Sequence, residues 1–274
     1  MIYKNRFNLN AAKPHSVNLY KTPCPQCYSV AGGLGSEIEK CSFFYFTRPT
    51  SLIDFSTRKN MQITWNGQSC FTIKSKTSTG EESVVLINPF DEKQAGIKIL
   101  KSKANIVLFG NKNSKVDTKK VDDNFFLIDK PGEFEIRGIF INGIADKWIK
   151  KGPKQNIFFF LEIEGVKILH LGEISHALDN GSLDKLSGID VLMIPVGGGD
   201  NINTEKAIEI INEIEPRMII PMNFKIPGLK EKLNPVDKFA KEMGINPKEQ
   251  TDRLKIDKRN LPQDNTEIII MSKR

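Results

Sequence analysis

The chain has 274 residues, 39% apolar and 27% charged, which suits a globular protein and argues against a disordered one. No apolar run reaches the roughly 20 residues that span a bilayer, and no stretch near the start resembles a secretory signal, so the expected setting is cytoplasmic, with no membrane partner. The net charge of +7 is uneven: residues 1–60 hold eight Lys/Arg against three Asp/Glu, and 61–274 is close to balanced. The high pI therefore gives no argument for nucleic-acid binding by the main body of the chain.

Residues 1–60 show no sustained period of 2 or 3.6. They mix Pro, Gly, Asn and Ser with isolated aromatics, and the expectation is a poorly structured extension, or a segment upstream of a true start at Met61. Cys24-Pro-Gln-Cys27 has the spacing of half a zinc knuckle, but His15 and Cys41 complete no recognisable four-ligand pattern, so free thiols are expected. At Met61 the pattern sharpens. "MQITWNGQSCFTIKS" alternates about Asn66-Gly67, a hairpin signal. "SVVLINPF", "NIVLF" and "NFFLI" read as strands. "EFEIRGIFINGI" and "NIFFFLEIEGVKILHLG" read as hairpins turning at Arg137-Gly138 and Glu164-Gly165. "GIDVLMIPV" and "RMIIPMNF" are continuous apolar strands of the doubly buried kind. Between them "NTEKAIEIINEIEP" is an amphipathic helix with Ala207, Ile210, Ile211 and Ile214 on one face, capped by Asn203 or Thr204. "NPVDKFAKEMG" is a second helix and "TEIIIM" a last strand. A mostly antiparallel first half and an alternating strand–helix second half predict two sheets packed between helical layers.

Taken together, "ITWNGQSCF", "LINPF", "ANIVLF", "PGEFEIRGIFINGI", "ILHLGE", "DVLMIPVGG" and "PRMIIPMNFKIPGLK" make 61–274 resemble the metallo-β-lactamase fold, in the branch of small metal-dependent hydrolases akin to ascorbate-6-phosphate lactonase. The resemblance implies a four-layer αββα sandwich of the α/β (α+β) class over 61–274. It also implies one or two ions, Zn²⁺ or Mn²⁺, held by His-x-His-x-Asp-His after "NIVLF", a His after the "PGE" hairpin, an Asp after "HLG" and a His after "IPM". Imidazole and carboxylate ligands that leave an open position acidify a bound water into a nucleophile.

At those positions this chain has other residues. Asn111 and Asn113 stand at the first two His positions, Lys115 at the Asp and Val116 at the last His of the signature. No His follows the "PGE" hairpin, Glu173 stands at the Asp after "HLG", Asn223 at the final His, and Asn88 where the family has Asp. Lys115 would put a cation beside a dication, a repulsion of several kcal/mol, about 8 at 4 Å with a dielectric near 20. The sequence thus leads to the expectation of a degenerate member without zinc-dependent activity, with no cofactor, and with a binding or scaffold role toward a small anionic ligand or a protein partner. The alternative is an active metal-dependent hydrolase, of lactonase or phosphodiester class, with altered ligands, such as Asn oxygens with Asp117 and Glu173 around Mg²⁺ or Ca²⁺. Glu173 and His176 are the remaining acid–base candidates. Gly197-Gly198-Gly199 is expected to be a tight turn and not a phosphate cradle. Lys225, Lys230 and Lys232 are expected to be a solvated basic face or a remnant of anionic-substrate recognition, and Trp148 a loop anchor beside Lys147, Lys150 and Lys151.

Overall fold

The computed structural model describes residues 61–76, 80–110, 121, 124–146, 156–178, 186 and 188–274, all within the unit Ile53–Arg274. Strands β1 (Met61–Gly67), β2 (Cys70–Lys76) and β3 (Glu82–Ile87) form an antiparallel meander. Strands β4 (Ile106–Leu108) and β5 (Phe126–Ile128) continue it in parallel with β3. With β13 (Leu254–Ile256) on the far side, the order of this first sheet is β13-β1-β2-β3-β4-β5. Its period of two is strict. Ile63, Trp65, Phe71, Ile73, Val85 and Ile87 enter the main core, while Thr64, Asn66, Thr72 and Lys74 lie on the other face.

The second sheet runs β14-β11-β10-β9-β8-β7-β6. Hairpin β6 (Gly132–Ile136)–β7 (Ile139–Ala145) and hairpin β8 (Ile157–Ile163)–β9 (Val166–His170) are antiparallel. Both turns fall where the sequence placed them. Arg137-Gly138 has φ of 53° and 72°, and Glu164-Gly165 has φ of 53° and 76°, the left-handed pair that matches the twist of a two-residue hairpin. Strands β10 (Val191–Pro195), β11 (Met218–Met222) and β14 (Glu267–Ile268) then lie parallel to β9.

Every residue of β10 and β11 is buried. Only one face of a strand can meet the opposite sheet, so the other needs a helical cover. The apolar faces of α2 (Thr204–Ile214) and α3 (Asp237–Glu242) belong to the same core. Asn203 caps α2 by accepting from the Lys206 N–H at 3.1 Å, worth about 1 kcal/mol, and Thr204 instead donates to the Val196 carbonyl. The short α1 (Glu92–Ala95) covers part of the first sheet's outer face through a second cluster with Val84, Leu86 and Val107. The result is two large sheets between sparse helices, as expected. No described helix is long and apolar enough to cross a membrane.

Three details differ from expectation. The first sheet is half parallel, because β4 and β5 return on the same side as β3. The last strand is split: Glu267–Ile268 extends the second sheet, and β15 (Ile270–Met271) pairs with β12 (Gln250–Thr251). The β1–β2 turn lies two residues later than Asn66-Gly67, at Gln68-Ser69. Register skips from Trp65↔Phe71 to Gly67↔Cys70, so Asn66 is the extra residue of a bulge. Its amide donates to Thr72 Oγ1 at 2.9 Å, a bond across the outer face that a turn position would forfeit.

Candidate functional site

Strand direction gathers the candidate residues. Strands β3 and β4 are parallel, so Asn88 and Gly110, which follow them, leave the first sheet at one edge. Strand β7 is antiparallel to β8 and β8 to β9, so β7 and β9 point the same way, and β11 with them. Asp146, Glu173 and Asn223 therefore leave the second sheet at its common C-terminal edge. Backbone bonds join the two edges: the N–H of Ile157, at the start of β8, donates to the Gly110 carbonyl at 3.1 Å, and the N–H of Asn223 to Gln68 O at 3.3 Å. Open sheets place ligand sites at such edges.

The first-sheet side is braced by Asn88. It is buried, has φ 45° and accepts from the Gly110 N–H at 2.8 Å, fixing the point from which the following loop departs. A carboxylate would accept the same bond, so asparagine keeps the strut without the charge. The β1–β2 turn closes the ring of contacts. Gln68 O accepts from the Trp65 indole at 2.8 Å and from the Asn223 N–H at 3.3 Å, and Ser69 O accepts from His170.

His170 is wholly buried and has both nitrogens engaged. Nε2 donates to Ser69 O at 2.9 Å, and Nδ1 accepts from the Gly172 N–H at 3.2 Å. A second proton on Nδ1 would face that N–H, so the ring is a neutral strut with no nitrogen left for a ligand. Burial pushes its pKa down from 6.5 to about 4. Because the folded value lies below the unfolded one, the stability it contributes is complete above pH 6.5 and is lost as pH falls through about 4. The wild type should lose about 3 kcal/mol more than H170Q between those limits, read from urea unfolding at a series of pH values. Parallel pH profiles for the two proteins would refute this.

On the second-sheet side, Asn156 sets the geometry. Its Oδ1 accepts from the Glu173 N–H at 3.1 Å, its Nδ2 donates to Leu171 O at 3.1 Å, and its carbonyl accepts from the Asp146 N–H at 3.0 Å. One buried amide thus places both acidic residues. Gly172, at φ 60°, lies so close that a Cβ would come 2.4 Å from Asn156 Oδ1. Asp146 is the residue that directly follows β7, and its side chain is 2% exposed. His176 Nε2 contacts its two oxygens at 2.8 and 3.0 Å, while Nδ1 meets the Ala177 carbonyl at 2.7 Å. Both ring nitrogens face acceptors, so His176 holds Asp146 by charge-assisted bonding. Beside Glu173, the acid–base candidate His176 thus also meets Asp146. Sequence reading passed over Asp146 because it sought a histidine after the hairpin; the signal was a carboxylate at the strand's end.

Asn223 completes the described part of the edge. It is 2% exposed, with φ 52°. Its Oδ1 is buried and, among the described residues, accepts no hydrogen bond, an arrangement that costs about 1–3 kcal/mol unless something fills it. Among the described residues no group of three His, Cys, Asp or Glu could hold an ion, so an imidazole-rich zinc set is not what this half of the edge provides. Asn111, Asn113, Lys115, Val116 and Asp117 lie outside the described residues, as do Trp148 with its neighbouring lysines, His15 and the first three cysteines.

Gly198 N–H donates to Ile202 O, and Gly197 O accepts from Asn234, so the triple glycine is an internally bonded turn. Lys230 Nζ donates to the Lys93 carbonyl and anchors α1. Cys70 is buried, and burial pushes its thiol up to about 12, which leaves it inert.

Comparison with known proteins places this edge in context. Residues 62–223 match the family model for the β-lactamase superfamily domain. A UPF0173 metal-dependent hydrolase of Thermoplasma acidophilum is 23% identical over 195 residues, 61% of this chain and 84% of that protein. A UPF0173 protein of Pyrococcus furiosus is 25% identical over 213 residues, 67% of this chain and 90% of that protein. A crystal structure from Thermotoga maritima, provisionally described as a Zn-dependent hydrolase of the metallo-β-lactamase superfamily, superposes with a TM-score of 0.62 at 28% identity, covering 77% of this chain and 98% of that one. These names overturn the expectation of no cofactor, because the relatives are described as metal-dependent. That expectation rested on the missing histidines and the Lys115 charge, and it left out the carboxylate of Asp146 at the end of β7. The family match covers most of both sheets and every described strand end that forms the edge, and on that ground the chain belongs to the metallo-β-lactamase superfamily.

Proposed function

We propose that the chain is a metal-dependent hydrolase of lactone or phosphodiester bonds whose ligand set has shifted from nitrogen to oxygen. The observation that carries this reading is Asn223 Oδ1, a buried oxygen without a hydrogen-bond donor at the end of β11. The donors at the edge are an amide oxygen, the shielded carboxylate of Asp146 and the half-buried carboxylate of Glu173. Oxygen donors of this kind fit a hard cation such as Mg²⁺ or Mn²⁺ and fit zinc poorly. Asp146, Glu173 and Asn223 would hold it. When bound, such an ion polarises the scissile carbonyl or phosphoryl group and acidifies a water.

The rest is done by the chain's own groups. His176 fixes the position of the Asp146 carboxylate through its Nε2 contacts. Asn156 fixes the backbone on which Glu173 stands. His170 and Gln68 lock the β1–β2 turn against the two strand ends. The same reading takes 61–274 as the hydrolase domain, supported by β1 beginning at Met61 and the family match beginning at residue 62.

The test is metal content after dialysis against Mn²⁺, together with hydrolysis of bis-p-nitrophenyl phosphate and of a simple lactone. The expected result is one or two Mn²⁺ per chain and turnover of one substrate class. Asn223→Gly keeps the left-handed backbone and removes the oxygen, and should weaken Mn²⁺ binding about 10–100-fold. Neither bound metal nor turnover would sink the proposal and leave a binding role. Unchanged Mn²⁺ affinity in the glycine variant would remove Asn223 from the site.

A further inference from the structure

The first sheet has a second face, and its cover is incomplete. Period two sends Thr64, Asn66, Thr72 and Lys74 outward. Next to them, Val84, Leu86 and Val107 are outward and apolar, and α1 with the 96–104 segment packs on them. Where that cover stops, the sheet turns polar and a cavity of about 520 Å³ opens, floored by Gln62, Thr64, Asn66 and Thr72. Thr64 and Thr72 are each 8% exposed and Asn66 2%. Hydroxyls and amides sunk this deep need partners. Asn66 and Thr72 hold one another at 2.9 Å. The Ser102 hydroxyl oxygen on the wall is shielded from solvent and has no partner.

The rim is cationic. Lys74, Lys101, Lys103, Arg253 and Arg274 line the cavity against one acid, Glu82. Glu82 is taken up by Lys74 at 3.6 Å, and Arg253 by the neighbouring Asp252 at 3.7 Å. Among the described residues, Lys101, Lys103 and Arg274 have no acidic side-chain partner. Like charges gathered at one opening repel each other, and a bound anion relieves that repulsion. The volume is that of a small-molecule site, within the usual 300–1,000 Å³ or so.

We propose that this cavity, on the sheet face opposite the interior and built from residues separate from the strand-end site, binds a small phosphorylated, polyhydroxylated molecule of sugar-phosphate size. The phosphate lies among Lys101, Lys103 and Arg274, and Lys74 and Arg253 flank it. The hydroxylated body lies on Thr64, Asn66 and Thr72, and the unmet Ser102 hydroxyl supplies one hydrogen bond. A phosphate alone uses the rim and leaves the floor idle. An uncharged sugar uses the floor and leaves the rim unneutralised.

The experiment is isothermal titration calorimetry on the full chain at low ionic strength, with glucose 6-phosphate, ribose 5-phosphate, glucose and inorganic phosphate as probes. Saturable binding of at least one sugar phosphate is expected, about tenfold or more tighter than inorganic phosphate, with none for glucose. K101E/K103E, at two exposed positions, should weaken that binding at least about tenfold with an unchanged melting temperature. Should the double variant melt differently, R253E on the opposite wall is expected to give the same loss. Asn223→Gly should bind the sugar phosphate as the wild type does, which separates this cavity from the strand-end site. No saturable binding by either sugar phosphate, inorganic phosphate binding equally well, or full affinity in the charge-reversed variants would each overturn the proposal.

Discussion

Gly197→Ala should unfold the protein at a urea concentration well below that of the wild type, with a loss of about 3 kcal/mol or more. A Cβ at this position would come 2.0 Å from the Asn223 carbonyl oxygen, 2.9 Å from Phe224 Cα and 3.0 Å from the Asn223 carbonyl carbon. All three are backbone atoms, so no rotamer change relieves the overlap; strand ends must part. They are pinned from both sides. Val196 N–H donates to Met222 O at 3.0 Å, Asn234 N–H to Gly197 O at 2.8 Å, and Phe224 stacks on Trp65 with ring centroids 4.6 Å apart. A shift here also moves Asn223, so Mn²⁺ binding should fall in the same variant even where it is folded. A stability within about 1 kcal/mol of the wild type, the range of an ordinary surface change, would show that the contact relaxes freely.

Asp190→Ala should cost a comparable amount, about 3 kcal/mol, by a different route. Asp190 precedes β10, and its side chain is 3% exposed. Its Oδ2 accepts from the Lys167 N–H at 2.8 Å and from Lys258 Nζ at 2.6 Å, and Arg217 Nε lies 3.7 Å from Oδ1. Its backbone also bonds to Lys167 O and to the Met218 N–H, each at 2.9 Å. One side chain therefore ties the beginnings of three parallel strands to the segment after β13. Alanine leaves the Lys167 N–H without an acceptor, the expensive half of a lost hydrogen bond. The lysine and arginine are half exposed and can turn to water, so their share is smaller. Asp190→Asn keeps an acceptor and should cost less than half as much. Equal losses for the two variants would mean that charge, and not the backbone bond, is what counts.

Regular elements were legible wherever local chemistry decides. The hairpins at Arg137-Gly138 and Glu164-Gly165 follow from the left-handed pair of turn positions. Helix α2 follows from its four apolar positions and the Asn203 cap. The doubly buried β10 and β11 follow from their unbroken apolar runs. Pairing was less legible, since parallel or antiparallel return depends on connections that carry no local signal, as β4 and β5 show. Asn66-Gly67 has the letters of a turn, but a cross-strand bond to Thr72 outweighs that preference. At the strand ends, motif positions pointed to Glu173 and Asn223, which the fold brings to one sheet edge. Asp146 and Asn156 were not found, because one follows a strand without a histidine and the other acts through three contacts that only the folded chain brings together.

Two residues at the site edge, Asn88 and Asn223, have left-handed backbones, with φ of 45° and 52°. Few side chains tolerate that geometry. Glycine does so freely, asparagine, aspartate and histidine are several-fold enriched there, and β-branched residues are nearly barred. The backbone at 223 thus restricts single replacements largely to glycine and to a few short polar side chains, three of which can ligate a metal. Histidine is among the residues this backbone tolerates best after glycine. On the proposed reading, the kink itself keeps the donor at this strand end among the few side chains that can ligate a metal.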